Sequence, residues 1–173
     1  MKLSKVSLDT VAGVLKLFFM ELPNPVLTFE LYGSFLAATC KFLLKILKSN
    51  QTQKTLSKAI RNELLRVWCV KRVVDILPPG NKAVLDRVCA MFRCIANLQE
   101  NNKMSAKNIA LVMSSSFLRD RNETAEEMLR TGGLRVRLVE IFISFHIEIF
   151  LVFIFFYHYF NMTFSNNPFW RIP

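Results

Sequence analysis

The chain has 173 residues, about the length of one domain, so two full domains would be hard to fit. Apolar residues make up 52% of it and charged residues 21%, which excludes a disordered, collagen-like or low-complexity protein. The formal net charge is +10 at pH 7, and all of this excess lies in residues 1–140. Residues 141–173 hold one arginine, one glutamate and nine of the sixteen phenylalanines. The composition therefore predicts a basic domain over residues 1–140 and a Phe/Ile-rich hydrophobic tail over residues 141–173.

The cysteines and histidines do not form a pattern typical of metal binding. There is no CxxC pair, and His146 and His158 lie far in sequence from every cysteine, so we expect no zinc site and no cofactor. Four irregularly spaced cysteines are also too few for a disulfide scaffold. They are more typical of reduced, buried thiols in a cytosolic protein: Cys40, Cys69, Cys89 and Cys94.

The first predicted helix runs from Val11 to Leu22 and ends at Pro23, because proline disfavours helical backbone in the residue before it. Ser7 or Asp9 can cap its start by accepting a backbone N–H. Its apolar residues have the i, i+3, i+4, i+7 spacing of an amphipathic helix, which predicts an inward stripe of Val11, Val14, Leu15, Phe18, Phe19 and Leu22.

Three further helices are predicted before residue 100. Thr28 is a candidate N-cap for a second helix that reaches about Lys48, and residues 49–53 are predicted to form a loop. A third helix spans about residues 56–76, and Asn81 opens a fourth. Their inward stripes are predicted to contain Ile60, Leu64, Val67, Val70 and Val74 in the third helix and Leu85, Val88, Phe92, Ile95 and Leu98 in the fourth.

The remaining elements follow a polar loop at residues 99–103. Ser105 is placed to cap a short helix, and Thr124 with Glu127 has the spacing of a capping box that starts another. Gly132 and Gly133 are expected to interrupt that helix. No alternating strand pattern of useful length occurs before residue 140, so the predicted fold class is all-α.

Three segments carry a family resemblance. The first reads VAGVLKLFFMELPNPVLTFELY from Val11 to Tyr32, the second ILPPGN from Ile76 to Asn81, and the third NKMSAKNIA from Asn102 to Ala110. In this order they resemble the Rho GTPase-activating (RhoGAP) domain, whose segments read LK-x-FLRELPEPL, LP-x-x-N and NKM-x-x-x-NLA. The resemblance covers about residues 9–120 and implies an incomplete RhoGAP-like helical bundle.

The resemblance implies a partner and a mechanism. A RhoGAP domain docks on the switch loops of a Rho-, Rac- or Cdc42-like GTPase in its GTP-bound state. It then supplies an arginine finger that neutralises charge on the transferring phosphoryl group. In the family this arginine precedes the first matching segment, whereas here no arginine precedes Arg61. We therefore expect the catalytic finger to be absent from this chain, which would act as a regulator and not as an enzyme with its own substrate pocket.

The resemblance also assigns candidate site residues. Lys16 and Asn108 match family positions that face the GTPase, while Met20 stands where the family usually has arginine. Without the motif, Lys16 would be an ordinary solvated lysine and Asn108 a residue in the first turn of a helix. The family's FGPNLL is replaced by MSSSFL at residues 113–118. The other motif residues are interpreted as structural: Pro23, Pro25, Asn81, Asn102, Lys103 and Met104.

The excess of positive charge leaves several partners open. No aromatic-interleaved pattern accompanies the basic residues, so we expect no nucleic-acid partner. A solvated face is the leading interpretation, followed by an acidic GTPase surface or an anionic membrane surface. The residues concerned are Lys41, Lys45, Lys48, Arg61, Arg66, Lys71 and Arg72.

The tail leaves three origins open: a domain end, a membrane anchor, or sequence translated from a non-coding region. Glu148 and His146 precede its most apolar stretch, which is short for a membrane span. Because the tail would add exposed apolar surface, we expect removal of residues after Glu140 to raise soluble yield. The leading interpretation is a cytoplasmic fragment of a RhoGAP-like regulator. The alternatives are a GTPase-binding scaffold without activating ability and a membrane-anchored helical protein.

Overall fold

The computed structural model describes residues 7–40 and 55–151, and every regular element within these ranges is helical. This confirms the predicted all-α class. The helices are α1 (Leu8–Glu21), α2 (Tyr32–Thr39), α3 (Thr55–Val74), α4 (Pro79–Asn97), α5 (Gln99–Asn102), α6 (Ala106–Phe117) and α7 (Ala125–Ser144), followed by a π-helical turn (Ile147–Leu151).

Three of the helices begin at the side-chain caps that the sequence predicts. The Ser7 hydroxyl accepts the Thr10 N–H at 3.2 Å at the start of α1, and the Ser105 hydroxyl accepts the Asn108 N–H at 3.2 Å at the start of α6. Thr124 and Glu127 form the complete capping box of α7. Each cap satisfies a backbone donor that has no partner within its helix.

Thr28 does not cap α2, which begins only at Tyr32. Thr28 instead ends a tight turn, in which its N–H donates to the Pro25 carbonyl at 2.9 Å and its φ is 59°. The side chain of Asn24 extends this turn by accepting the Phe29 N–H at 2.9 Å. These bonds occupy the backbone up to residue 29, so the helix starts later than predicted. The predicted continuation to Lys48 and the loop at 49–53 lie outside the described residues.

The structure corrects two further predicted breaks. Gly132 and Gly133 do not interrupt α7, which is continuous from Ala125 to Ser144. A helical glycine costs only about 0.5–1 kcal/mol relative to alanine, and the capping box and the buried residues of α7 outweigh this cost. The segment 99–103, predicted to be a loop, contains the single helical turn α5.

The core lies between α6 and α7, which form the most extensive helix pair. The helices α2 and α4 pack on α7, and α3 packs on α2 and on the π-helical turn. The predicted inward residues Val67, Val70 and Val74 of α3 are buried, as are Leu85 and Phe92 of α4. Leu98 is an exception at 59% exposed, because it is the C-cap of α4 and follows the last helical residue.

Only one side of α1 contacts the core. Phe19 is buried, and Leu15 and Leu22 are half-buried against the core cluster. The other residues of the predicted inward stripe are exposed, since α1 packs on α6 alone among the helices with extensive contacts. Their exposed fractions are 41% for Val11, 61% for Val14 and 55% for Phe18.

The composition change at residue 140 falls inside α7, about one turn before its C-terminal end. Ile141, Phe142, Ile143 and Ile149 are at most 1% exposed, and the Phe142 ring meets the Phe35 ring edge-on at 6.0 Å. The first part of the predicted tail therefore belongs to the core. No helix within the described residues is long and apolar enough to cross a membrane. The rest of the predicted tail, residues 152–173, lies outside the described residues.

Candidate functional site

Lys16 and Met20 share one side of α1. Lys16 is half-buried, and Met20, one turn further on, is 48% exposed. Leu17 and Gly13, which neighbour them on the helix surface, are also exposed. This side of α1 therefore presents one lysine within a largely apolar surface.

Arg119 holds the C-terminal end of this helix. Its guanidinium donates to the Phe19 carbonyl at 3.4 Å and also to the Leu22 carbonyl. The Phe19 ring meets the Phe117 ring edge-on at 5.0 Å, which places the end of α6 beside the end of α1. The sequence did not reveal this contact, because Arg119 lies about 100 residues from its acceptors and outside the three motifs.

The turn after α1 brings the first two motifs together. Pro25 is buried, whereas Pro23 is exposed where α1 ends. The Asn81 side-chain amide donates to the Val26 carbonyl at 3.0 Å, and the Leu27 N–H donates to the Phe117 carbonyl at 3.3 Å. Asn81 does not open α4, which starts at Pro79 without a side-chain cap. The hydrogen bond from Asn81 to Val26 ties the start of α4 to the turn after α1.

The third motif forms a hydrogen-bonded corner between α5 and α6. The Asn102 side chain donates to the Ile95 carbonyl and accepts the Met104 N–H, both at 2.8 Å. Lys103 has a left-handed backbone with φ of 58°, and its ammonium donates to the Glu100 carbonyl at 2.8 Å. Asn108 is exposed, and its side-chain amide donates to the Lys103 carbonyl at 2.9 Å. Asn102, Lys103, Met104 and Asn108 are thus brought together at one corner.

The segment MSSSFL continues α6 to Phe117. Without the family's glycine and proline, nothing in it stops the helix early. Ser114 and Ser116 are buried and only Ser115 is exposed. The exposed side of α6 carries Leu111 and Val112.

A buried charge network holds the loop between α6 and α7. Arg135 donates to the Glu123 carboxylate, with one contact at 3.1 Å, and to the Leu118 carbonyl at 3.4 Å. The Thr131 hydroxyl accepts from Arg135 at 2.6 Å, and the Tyr32 hydroxyl lies 3.3 Å from both Thr131 and Glu123. The network therefore joins α2, α7 and the loop that carries Arg119. No pattern in the sequence predicts this network.

Several basic residues named from the sequence are paired within the chain. Arg66 contacts Glu63 at 2.7 Å, and Lys71 contacts Asp75 at 3.1 Å. Burial alone would raise the pKa of Asp75, but hydrogen bonds from Lys82 and Lys71 outweigh it and hold that pKa below the ordinary value of 3.8. The Arg72 guanidinium lies 5.9 Å from the Trp68 ring centroid. Lys41, Lys45, Lys48 and the side chain of Arg61 lie outside the described part of the chain.

A family model described as the RhoGAP domain matches residues 1–122. The chain belongs to the RhoGAP family. The chain is 31% identical over 122 residues to Rho GTPase-activating protein gacJJ of Dictyostelium discoideum. The aligned residues cover 70% of this chain and 12% of that protein. The chain therefore spans about an eighth of the length of such relatives.

Solved structures agree with this RhoGAP assignment. The BH domain of GRAF, the GTPase regulator associated with focal adhesion kinase, has a TM-score of 0.65 at 20% identity, covering 86% of this chain and 69% of that chain. Human Rho GTPase activating protein 15 has a TM-score of 0.63 at 25% identity, covering 84% of this chain and 64% of that chain. The likeness to the BH domain shows a shared fold that extends beyond the three motifs.

Proposed function

We propose that this chain regulates Rho-family small GTPases in cytoplasmic signal transduction, as the part of a RhoGAP that docks on the GTPase. RhoGAP domains are activators of Rho-family GTPases, and the family match over residues 1–122 is the observation that carries the proposal. The partner is a Rho-, Rac- or Cdc42-like protein in its GTP-bound state.

The docking surface proposed here consists of Lys16 and Met20 on α1 and Asn108 on α6. Two features of the described structure support it: α1 packs on α6, and the side of α1 that bears Met20 is exposed. Lys16 supplies a compact positive charge for an acidic switch residue. Asn108 supplies amide hydrogen-bonding groups at the start of α6, and Leu17 with Met20 supplies apolar contact area.

The binding test compares retention of the chain by Rho, Rac and Cdc42 loaded with GDP or with a non-hydrolysable GTP analogue. We expect preferential retention in the GTP-like state, and weaker retention for Lys16→Ala and Asn108→Ala. Arg87→Ala is the matched control, because Arg87 is an exposed cation on α4, outside the proposed surface. Equal retention of all variants in both nucleotide states would contradict the proposal and indicate nonspecific adhesion of a basic protein.

Met20 gives a test by gain of function. Methionine cannot make the charge-assisted bonds that arginine makes to a carboxylate. If the surface around Met20 faces an acidic switch residue, Met20→Arg adds a hydrogen bond to a charged group, worth about 1.5–3 kcal/mol, or about tenfold or more in affinity. Ala83→Arg on the exposed side of α4 is the control, since it adds the same charge elsewhere. Equal gains from both variants would indicate general charge attraction.

The chain is proposed to bind without accelerating hydrolysis by itself. The first arginine in its sequence is Arg61, on α3, and a trans-acting arginine finger is worth about 10³–10⁵ in rate. Lysine lacks the planar fork of arginine, so Lys16 does not substitute for it. Single-turnover hydrolysis at saturating concentrations of the chain is expected to stay within about tenfold of the intrinsic rate. A larger acceleration would contradict this part of the proposal.

A scaffold without activating ability is the second candidate, and Met20 is the residue that favours it. The two candidates share the docking surface and differ in the finger. Fusing a glycine-flanked arginine loop before residue 1 separates them. We expect the fusion to accelerate hydrolysis if the surface holds the GTPase in the RhoGAP orientation. A bound fusion protein that leaves the rate unchanged would favour the scaffold.

A further inference from the structure

Few side chains attach α1 to the rest of the described structure. Phe19 is buried, and Leu15 and Leu22 are half-buried, whereas Val14 and Leu17 are exposed on other sides of the helix. A helix held along one narrow line of apolar contacts can tilt about that line unless a directional contact stops it. Hydrogen bonds supply such direction.

The end of α1 receives its directional contact from outside the helix. The last carbonyl groups of a helix have no intrahelical partner, and a cation there is favourable. The last turn of α1 contains no basic residue. Arg119 supplies the donors instead, one to the Phe19 carbonyl at 3.4 Å and one to the Leu22 carbonyl. Its guanidinium also lies 5.8 Å from the centroid of the Phe29 ring.

The backbone that carries Arg119 is held in place by contacts of the preceding residue. The preceding residue, Leu118, is fully buried, and its N–H donates to the Ser114 carbonyl at 3.2 Å. The Leu118 carbonyl accepts from Arg135, which is held by Glu123. A chain of contacts therefore runs from the buried network through Leu118 and Arg119 to the end of α1.

We propose that Arg119 is a positioning residue that sets the orientation of α1 and thereby presents Lys16 and Met20 to the GTPase. The inference rests on the proposed function of that surface. Lys16 lies about one helical turn before Phe19, whose carbonyl Arg119 binds, so a tilt at the end of α1 displaces Lys16 directly. The planar fork of arginine contacts both carbonyl groups at once, whereas lysine is a single-point donor.

The first arm of the test does not involve the GTPase. Hydrogen–deuterium exchange is measured on the full chain and on Arg119→Gln, with Arg121→Gln as the matched control. Arg121 is the right control because it also lies near the Phe29 ring, at 4.9 Å, but its ion pair is with exposed Glu30. We expect exchange in the second half of α1 to rise at least tenfold in Arg119→Gln only, while α6 and α7 stay protected. Unchanged exchange in α1 would overturn the proposal.

The second arm measures affinity for the GTP-loaded GTPase. We expect Arg119→Gln to weaken binding about tenfold and Arg119→Lys to give an intermediate loss, with thermal unfolding of α6 and α7 unchanged. Because Arg119 acts through α1, its loss should cost less than threefold when Lys16 is already alanine. A loss that is the same in both backgrounds would overturn the positioning role.

The two proposals fail in different ways. If the unaltered chain binds and Arg119→Gln binds equally well, the positioning role is overturned and the proposed function stands. If the unaltered chain binds no GTPase in either nucleotide state, the proposed function is overturned and this inference falls with it. Arg119→Lys keeps the test decisive if Arg119→Gln does not fold.

Discussion

The side-chain amide of Asn81 donates a hydrogen bond to the carbonyl oxygen of Val26 at 3.0 Å, across 55 positions of sequence. Val26 lies in the turn after α1, and Asn81 in the first turn of α4. Val26 is nearly fully buried, so little water is available to replace the donor. This single bond ties the first motif segment to the second.

Replacement of Asn81 by alanine is expected to lower the free energy of unfolding by about 1–3 kcal/mol, because it leaves a buried carbonyl group without a donor. Urea denaturation followed by circular dichroism measures the change. Asn97→Ala, at the exposed end of α4, is the control and is expected to change stability by less than about 0.5 kcal/mol. Equal losses of unfolding free energy at the two positions would show that the hydrogen bond to Val26 does not stabilise the fold.

The buried ion pair between Arg135 and Glu123 should behave differently from an exposed pair. Their side chains are only 2% and 8% exposed, so replacing one of them leaves an unpaired buried charge and is expected to cost about 3–5 kcal/mol. Replacing both, as in Arg135→Met with Glu123→Leu, should cost clearly less than the sum of the two single changes. Arg121→Ala is the control, because its pair with Glu30 is largely exposed and such pairs contribute about 0–1 kcal/mol. If the double variant lost as much stability as the two single variants together, the two side chains would not be energetically coupled.

The burial of several large apolar residues after Glu140 reverses the expectation that shortening the chain there helps folding. That cut removes Ile141, Phe142, Ile143 and Ile149, all fully buried. Each large apolar side chain lost from a core costs about 2–5 kcal/mol, and a domain has only about 5–15 kcal/mol to lose. A chain that ends at Glu140 should therefore melt without cooperativity, whereas one that ends at Leu151 should keep a sharp transition. Equal melting of the two chains by circular dichroism would restore the expectation drawn from composition.

The cysteines should differ sharply in reactivity. Cys94 is exposed, while burial raises the pKa of Cys69 to about 11 and raises that of Cys89 further. Because the thiolate is the reactive form, iodoacetamide at pH 8 should modify Cys94 in the folded chain and spare Cys69 and Cys89. Mass spectrometry of peptides, with and without urea, checks this. Fast labelling of Cys89 without denaturant would mean that α4 does not pack as described.

The sequence was sufficient for features that depend on neighbouring residues. Ser7, Ser105 and the pair Thr124 and Glu127 cap the helices predicted for them, because a cap acts within three residues of its own position. In the α3 stripe, Val67, Val70 and Val74 are buried as predicted, while Leu64 is half-buried. At these positions the local signal holds, whereas at Thr28 a turn closed by the Pro25 carbonyl replaces the predicted cap.

Features that depend on tertiary neighbours were not predictable from the same patterns. Val14 and Phe18 have the spacing of core residues, but spacing does not show that only one side of α1 is covered. Gly132 and Gly133 look like a break, yet the packing of α7 outweighs their low helix propensity. The composition change at residue 140 suggested that Phe142 lies in an exposed tail, although it is buried. Composition does not show which part of the fold covers an apolar residue.

The candidate site also contains residues that the sequence located and residues that it did not. The motif resemblance located Lys16, Met20 and Asn108, whose roles toward a GTPase stay predictions. It did not locate Arg119, whose acceptors lie 100 and 97 residues earlier, or Arg135, whose partners Leu118 and Glu123 lie 17 and 12 residues earlier. No periodicity or spacing rule links an arginine to a carbonyl group about 100 residues earlier.

The bond from Asn108 to the Lys103 carbonyl has a consequence for chemical recognition. A side-chain amide has two N–H donors and one acceptor oxygen, and one donor of Asn108 is already used at 2.9 Å. That bond restrains the amide, and the carbonyl oxygen and the second N–H of Asn108 take no part in it. A partner that approaches this corner meets an acceptor held in place and one remaining N–H. A partner group that can both donate and accept, such as a hydroxyl, can therefore pair with this amide without breaking the corner.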